Sequence, residues 1–240
     1  MKNPILKKYS SLIDNRNRCI WEEVNRNLNI EFDSSFEPNY GINTTKDLIT
    51  IYIDEKNINS ASFTHELLHA YLRNKDLNVA RDLNLIIKNY DNEYLNIIFN
   101  KDLVDHIGNC LEHIIILPLF VNLGFKNHEF LTDHNQKKTS DQNIELIENN
   151  FSNNGLFSYE GIEHYIANYI AIKSCNNKFH NYEKYHKRLI NLEKLLYRLL
   201  SNFWDDWKTY DINDPYDNYN EILDLFINDM QEWVKTKSFL

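Results

Sequence analysis

Thirteen consecutive residues, Ser60 to Leu72 (SASFTHELLHAYL), carry a single charge, Glu66, and set it between His65 and His69. With Phe63, Leu67, Leu68, Ala70 and Tyr71 around them, these residues read as a helix in which three polar groups stand among apolar ones. Burying two imidazoles and a carboxylate without partners is costly. The fold must therefore give them a shared partner, or leave them at the surface of an ordinary helix where they bond to water.

The remainder of the chain can supply a core to cover such a helix. Its 240 residues suffice for one domain with a sizeable interior. The apolar fraction of 42% and aromatic fraction of 13% are those of a folded globular protein, and 5 Gly with 4 Pro leave little room for long linkers. One domain over 1–240 is expected, with a motif-bearing part at about 30–135 and a helical part at about 140–240. Residues 4–28 carry an apolar stripe at helical spacing (Ile5, Leu6, Tyr9, Leu12, Ile13, Ile20, Val24, Leu28). The period then changes. Ile30–Phe36 and DLITIYID (47–54) are rich in β-branched and aromatic residues between turn-type segments, which predicts two short antiparallel strands. Ser60 or Ser62 is the candidate cap of the motif helix. Further helices are expected over about 78–90, 101–118, 141–151, 159–174, 179–206 and 219–236, with Trp204, Trp207 and Trp233 as scaffold. The fold class is α+β and predominantly α-helical.

Charge and composition exclude several function classes. A net charge of −9 with interspersed Lys and Arg lacks the basic stripe that nucleic acid requires, and Lys2, Lys7 and Lys8 read as a solvated helix face. The apolar run Ile114–Val121 is too short to cross a bilayer and contains Pro118, so no membrane span is expected. No apolar secretory core opens the sequence. Cys19, Cys110 and Cys175, odd in number and widely spaced, make no disulfide framework, which points to a reducing cytoplasm.

Residues four apart on a helix lie on nearly one face, so His65 and His69 can reach the same cation. Glu66, about 100° around the helix, can stand beside the open coordination position and accept a proton from an activated water. Structural zinc sites are usually closed by Cys ligands, and no Cys-x-x-Cys pair occurs here, so zinc in a catalytic role is favoured.

With Leu67 and Leu68 inside the motif, Phe63, Ala70 and Tyr71 flanking it and a strand-like segment before it, the stretch resembles the extended signature of the zincin metallopeptidases. Ser62 stands where that signature usually has Val or Thr. The resemblance implies a zincin-like fold with a buried motif helix beside a small sheet, His65 and His69 as ligands, Glu66 as general base, and a third ligand from further along the chain, either Glu or His.

The stretch DHIGNCLEH (105–113) holds the candidates for that third ligand. On a 100° wheel Leu103, Val104, Ile107, Leu111, Ile114 and Ile115 centre on one direction. His113 falls at the edge of that face with His106, Asn109 and Cys110, whereas Glu112 falls nearly opposite, beside Asp105. His113 is therefore ranked first and Glu112 is the alternative, ahead of His106 or a residue after Gly124. Asn109 is a candidate to orient an imidazole or a substrate carbonyl, and His164, near Tyr159 and Tyr165, a candidate oxyanion stabiliser. His128 and His134 are expected to be exposed, and His180 and His186 to lie on a solvated face.

Together these features point to a zinc-dependent metallopeptidase-like hydrolase acting on a protein or peptide, with its oligomeric state open. Two rivals stand beside it. One is a zincin-like effector or defence hydrolase with a narrow protein target or a non-peptide amide. The other is a non-catalytic helical binding module with a structural or degenerate metal site.

Overall fold

A computed structural model describes residues 9–45 and 47–240. Its class is α+β and mostly helical. The described residues sort into two compact units, one comprising those up to 77 with 115–134 and the other 78–114 with 135–240.

The first unit begins with a 3-10 turn, Ser10–Leu12, and helix α1, Arg18–Asn27. The expected single helix over 4–28 is thus interrupted, and its residues 4–8, with Lys2, Lys7 and Lys8, lie outside the described residues. Asn17 causes the break. Fully buried, it accepts the Asp14 N–H through Oδ1 (3.0 Å), and its Nδ2 donates to the Leu12 carbonyl (2.8 Å) and to Thr64 Oγ1 (2.8 Å). A side chain bonded to a carbonyl five residues back competes with the helical ladder.

Three strands follow, β1 (Ile30–Ser34), β2 (Gly41–Thr44) and β3 (Ile49–Ile53), in the order β1-β3-β2. β1 runs parallel to β3, from Ile30 opposite Ile49 to Ser34 opposite Ile53, which corrects the antiparallel expectation for these two segments. β2, the strand that pairs antiparallel with β3, lies in a stretch whose Gly and Asn do not read as strand. Its chain length reverses direction between the two expected strands, so they point the same way. Central β3 turns Ile49, Ile51 and Ile53 inward. They join Trp21 and Val24 of α1 and Phe63, Leu67 and Ala70 of the next helix in one core.

That helix, α2 (Ser60–Asn74), carries the motif. Its cap is Asn59, not Ser60 or Ser62: Asn59 Oδ1 accepts from Ala61 N (2.8 Å) and Ser62 N (3.2 Å). Ser60 instead donates to Asp14 Oδ2 (2.8 Å), and Thr64 donates to the Ser60 carbonyl (2.6 Å).

The second unit is almost wholly helical, with α3 (Val79–Asn89), α4 (Glu93–Ile98), the first part of α5 (Lys101–Asn122), α6 (Asp141–Asn150), α7 (Tyr159–Ser174), α8 (Glu183–Leu192), α9 (Lys194–Trp207) and α10 (Tyr219–Lys235). The hairpin β4 (Ser152–Asn153) and β5 (Leu156–Phe157) joins α6 to α7. α5 continues past Pro118, which removes one backbone donor without ending the helix. By length and composition alone α5 could cross a membrane, as can buried core helices, and 44% of its most apolar window is buried. All three cysteines are free.

The helix expected over 179–206 is two helices. Glu193 is extended between them (φ −151°, ψ 96°), and the buried Tyr165 hydroxyl donates to the carbonyls of Leu189 (2.8 Å) and Glu193 (3.3 Å). The Glu193 carboxylate pairs with Lys237 (3.5 Å), with both side chains largely buried. The tryptophans are core, as expected: Trp207 Nε1 donates to the Leu111 carbonyl (3.1 Å).

α3 approaches α5 so closely that a Cβ at Gly108 would lie 2.7 Å from Ala80 Cβ and 2.8 Å from Ala80 N. Gly108→Val should therefore push the two helices apart and lower stability by about 1–3 kcal/mol in urea denaturation. An unchanged midpoint would mean that the approach is not a constraint.

Candidate metal centre

The spacing of His65 and His69 on α2 brings their Nε2 atoms to 3.3 Å. With His113 on α5 they form the one group of three or more potential ligands among the described residues, its ligand atoms all within 4.8 Å of one another. Two nitrogens bound to one tetrahedral zinc at its usual bond length stand about 3.4 Å apart. The observed pair has that separation, and three imidazoles are a donor set suited to a divalent transition metal. These residues fit the metal expected from the sequence.

Burial prepares the imidazoles for this task. His65 and His69 are 8% and 4% exposed. Desolvation first, and the neighbouring His69 second, push the His65 pKa down to about 3, while a hydrogen bond to the Phe130 backbone opposes them. His65 is therefore neutral and holds a lone pair ready for a cation. The Phe130 ring packs on the same imidazole, with centroids 4.6 Å apart and planes tilted by 50°. Glu66 is 9% exposed, and burial raises its pKa while His69 draws it down. Its carboxyl therefore holds a proton more readily than an exposed one does.

Helix α5 separates the third-ligand candidates. His113, half-buried, joins the cluster. Glu112 is not on a solvent face as the wheel implied: it is 2% exposed, and its Oε1 accepts the Val79 N–H at the start of α3 (3.2 Å). The stripe Asp105, Gly108, Glu112 is polar in sequence, but α3 covers its inner part, and a carboxylate is favourable at a helix N-terminus. Gly108 was the available signal, because an isolated glycine in a helix often marks a close approach. His106 is engaged elsewhere, with Nε2 3.2 Å from the Ala167 carbonyl and 3.8 Å from Cys110 Sγ. Asn109 is exposed, and His164 is half-buried on α7.

Of the other histidines, His128 is exposed as expected, but His134 and His180 are half-buried. His186, also half-buried, bonds to the Tyr197 hydroxyl at 3.1 Å and so does not lie on a solvated face. Sequence reasoning missed Asn17 and Phe130. Asn17 sat inside an apparent helix, and nothing marks a lone aromatic in a loop as the neighbour of an imidazole.

No family model matches this chain, nor does any curated protein or solved structure.

Substitution should separate the two adjacent side chains of α5. His113→Ala should weaken zinc affinity by more than about 100-fold, beyond what outer-shell partners alone contribute. Glu112→Ala should keep that affinity and lower stability by about 1–3 kcal/mol, since it removes the acceptor of a buried N–H. Chelator competition and urea denaturation read the two effects, and full zinc affinity in His113→Ala would remove it from the ligand set.

Proposed function

We propose that this protein is a zinc-dependent, zincin-like hydrolase that cleaves peptide bonds. The observation that carries the reading is the facing pair of Nε2 atoms of His65 and His69, 3.3 Å apart beside His113, with Glu66 on the same buried helix. When bound by these three imidazoles, zinc supplies Lewis acidity, polarising a carbonyl and lowering the pKa of a water.

The chain's own residues do the rest. His65 and His69 are held by a helix whose first turn is tied down by Asn59, Asp14 and Asn17, so the imidazoles need little reorganisation to converge on one point. The Glu66 carboxylate accepts the proton of the attacking water at one oxygen and delivers it to the departing amine, the reverse transfer that returns the group to its starting state. Its buried setting keeps competing water out and strengthens its electrostatic influence.

Burial of the three polar side chains also supports a second reading, a structural metal site in a binding module. Glu66 divides the two readings, because a structural site has no use for a buried base. Glu66→Gln should bind about one zinc per chain and hydrolyse peptides about 100- to 10,000-fold more slowly than the wild type. Elemental analysis and cleavage of an unstructured protein substrate measure the two properties. A variant as active as wild type would remove Glu66 from the base role, and a wild-type protein that binds zinc and cleaves nothing would favour the structural reading.

A further inference from the structure

α5 ends in a motif that aims the following segment at the metal centre. Gly124, at φ +94°, donates to the Val121 carbonyl (2.9 Å), and Phe125 N donates to the Phe120 carbonyl (3.4 Å), the paired bonds of a glycine-terminated helix. That turn lays Phe125 on Phe120, with centroids 4.8 Å apart. The chain then runs through the exposed residues Lys126 to Glu129 and returns inward at Phe130, which is 3% exposed. Phe130 meets the edge of Phe120 at 5.2 Å and covers His65 at 4.6 Å. The Phe130 ring thus lies against an imidazole of the proposed metal site. Within the segment Glu129 N donates to Lys126 O (2.9 Å), Phe130 N to Asn127 O (3.3 Å) and His134 N to Leu131 O (3.2 Å), and the Phe130 backbone is hydrogen-bonded to His65.

The outer face of Phe125 carries a clamp. Arg16 Cζ stands 3.7 Å over the Phe125 ring. The same guanidinium holds Asp14 through Nε and a terminal nitrogen (3.1 and 2.5 Å), and Asp14 accepts from Ser60 Oγ at the start of the motif helix (2.8 Å). A cation stacked on an aromatic face and anchored by two charged bonds is a directional hold that can open and re-form.

We propose that residues Gly124 to His134 form a lid over the metal centre, sealed by Phe130 on His65 and latched by Arg16 on Phe125. The inference rests on the reading of His65 and His69 as the accessible heart of a metal site and adds the control of entry to it. With Phe130 packed on it, His65 is 8% exposed. Lifting the segment breaks the Arg16 stack, the Phe130 packing and the hydrogen bond between the Phe130 backbone and His65, a local opening of part of the structure. Phe130 is then a gating residue, and Arg16 acts through the lid without touching a ligand.

Reactivity of the imidazoles tests this without any metal. Metal-free full-length protein is treated with diethyl pyrocarbonate, and modification of each histidine is followed by peptide mass spectrometry, with His180, which lies outside the segment, as the internal standard. In Arg16→Gln, modification of His65 should accelerate about five- to tenfold, the population shift expected from losing one stacked cation, while His180 keeps its wild-type rate. Arg16→Lys, which keeps the charge but not the planar stack, should fall between the two, and Phe130→Ala should exceed both. His65 reacting at the wild-type rate in a folded Arg16→Gln would overturn the lid. Zinc titration of the same proteins separates this from failure of the metal reading: faster modification with no zinc bound by any of them leaves the lid standing and removes the metal, whereas stoichiometric zinc with unchanged modification does the reverse.

Discussion

Placing two imidazoles and a carboxylate on a helix with almost no solvent face is the condition to which the first unit answers. Ten residues of α2 are buried, among them His65, Glu66 and His69. Each polar group taken from water without compensation costs of order 1–3 kcal/mol, so the helix is affordable only where its polar atoms meet partners. Thr64 meets Asn17 and the Ser60 carbonyl, Ser60 meets Asp14, and the first N–H groups meet Asn59. The two Nε2 atoms stand within hydrogen-bond distance of each other, 3.3 Å apart. The kink before α1, the position of Asp14 and the fully buried Asn17 all follow from satisfying this one helix.

The same burial sets the chemistry. Desolvation penalises charge, so it drives the His65 pKa down and the Glu66 pKa up, opposite directions from one cause. A neutral imidazole keeps a lone pair and a carboxyl of raised proton affinity holds a proton more readily, so the environment that makes the helix costly also sets the acid–base state of its side chains. Phe130 contributes on both counts, since its ring removes water from His65 while its backbone bonds to it.

In the second unit the corresponding device is close approach. Gly108 lets α3 reach α5, and Glu112, one turn on, takes the Val79 N–H that the approach leaves buried. Asp82 on α3 is bonded in turn by the Tyr219 hydroxyl of α10, which also accepts the Asn78 N–H. A second break in helical periodicity, at Glu193, is filled by the Tyr165 hydroxyl and held by Lys237. In both units a buried polar side chain stands where regular structure stops.

The sequence by itself determined the helical character of most of the chain and the convergence of His65 with His69, because a spacing of four fixes a shared helix face whatever surrounds it. It also ranked His113 over Glu112, since the apolar stripe of α5 marks an inward side. It did not reveal that the face opposite was covered as well, that β1 and β3 run parallel, or that Asn17 and Glu193 interrupt helices. Those outcomes depend on partners distant in sequence: Val79 for Glu112, Thr64 for Asn17, Tyr165 for Glu193 and β2 for the direction of β3. Asparagine shows the limit most plainly. Asn59, Asn78, Asn92 and Asn218 cap helices through local bonds that a careful reading of residue type can anticipate. Asn17 is the same residue type serving a long-range bond, and only the tertiary structure distinguishes the two, because periodicity records that a position is buried and not what it is buried against.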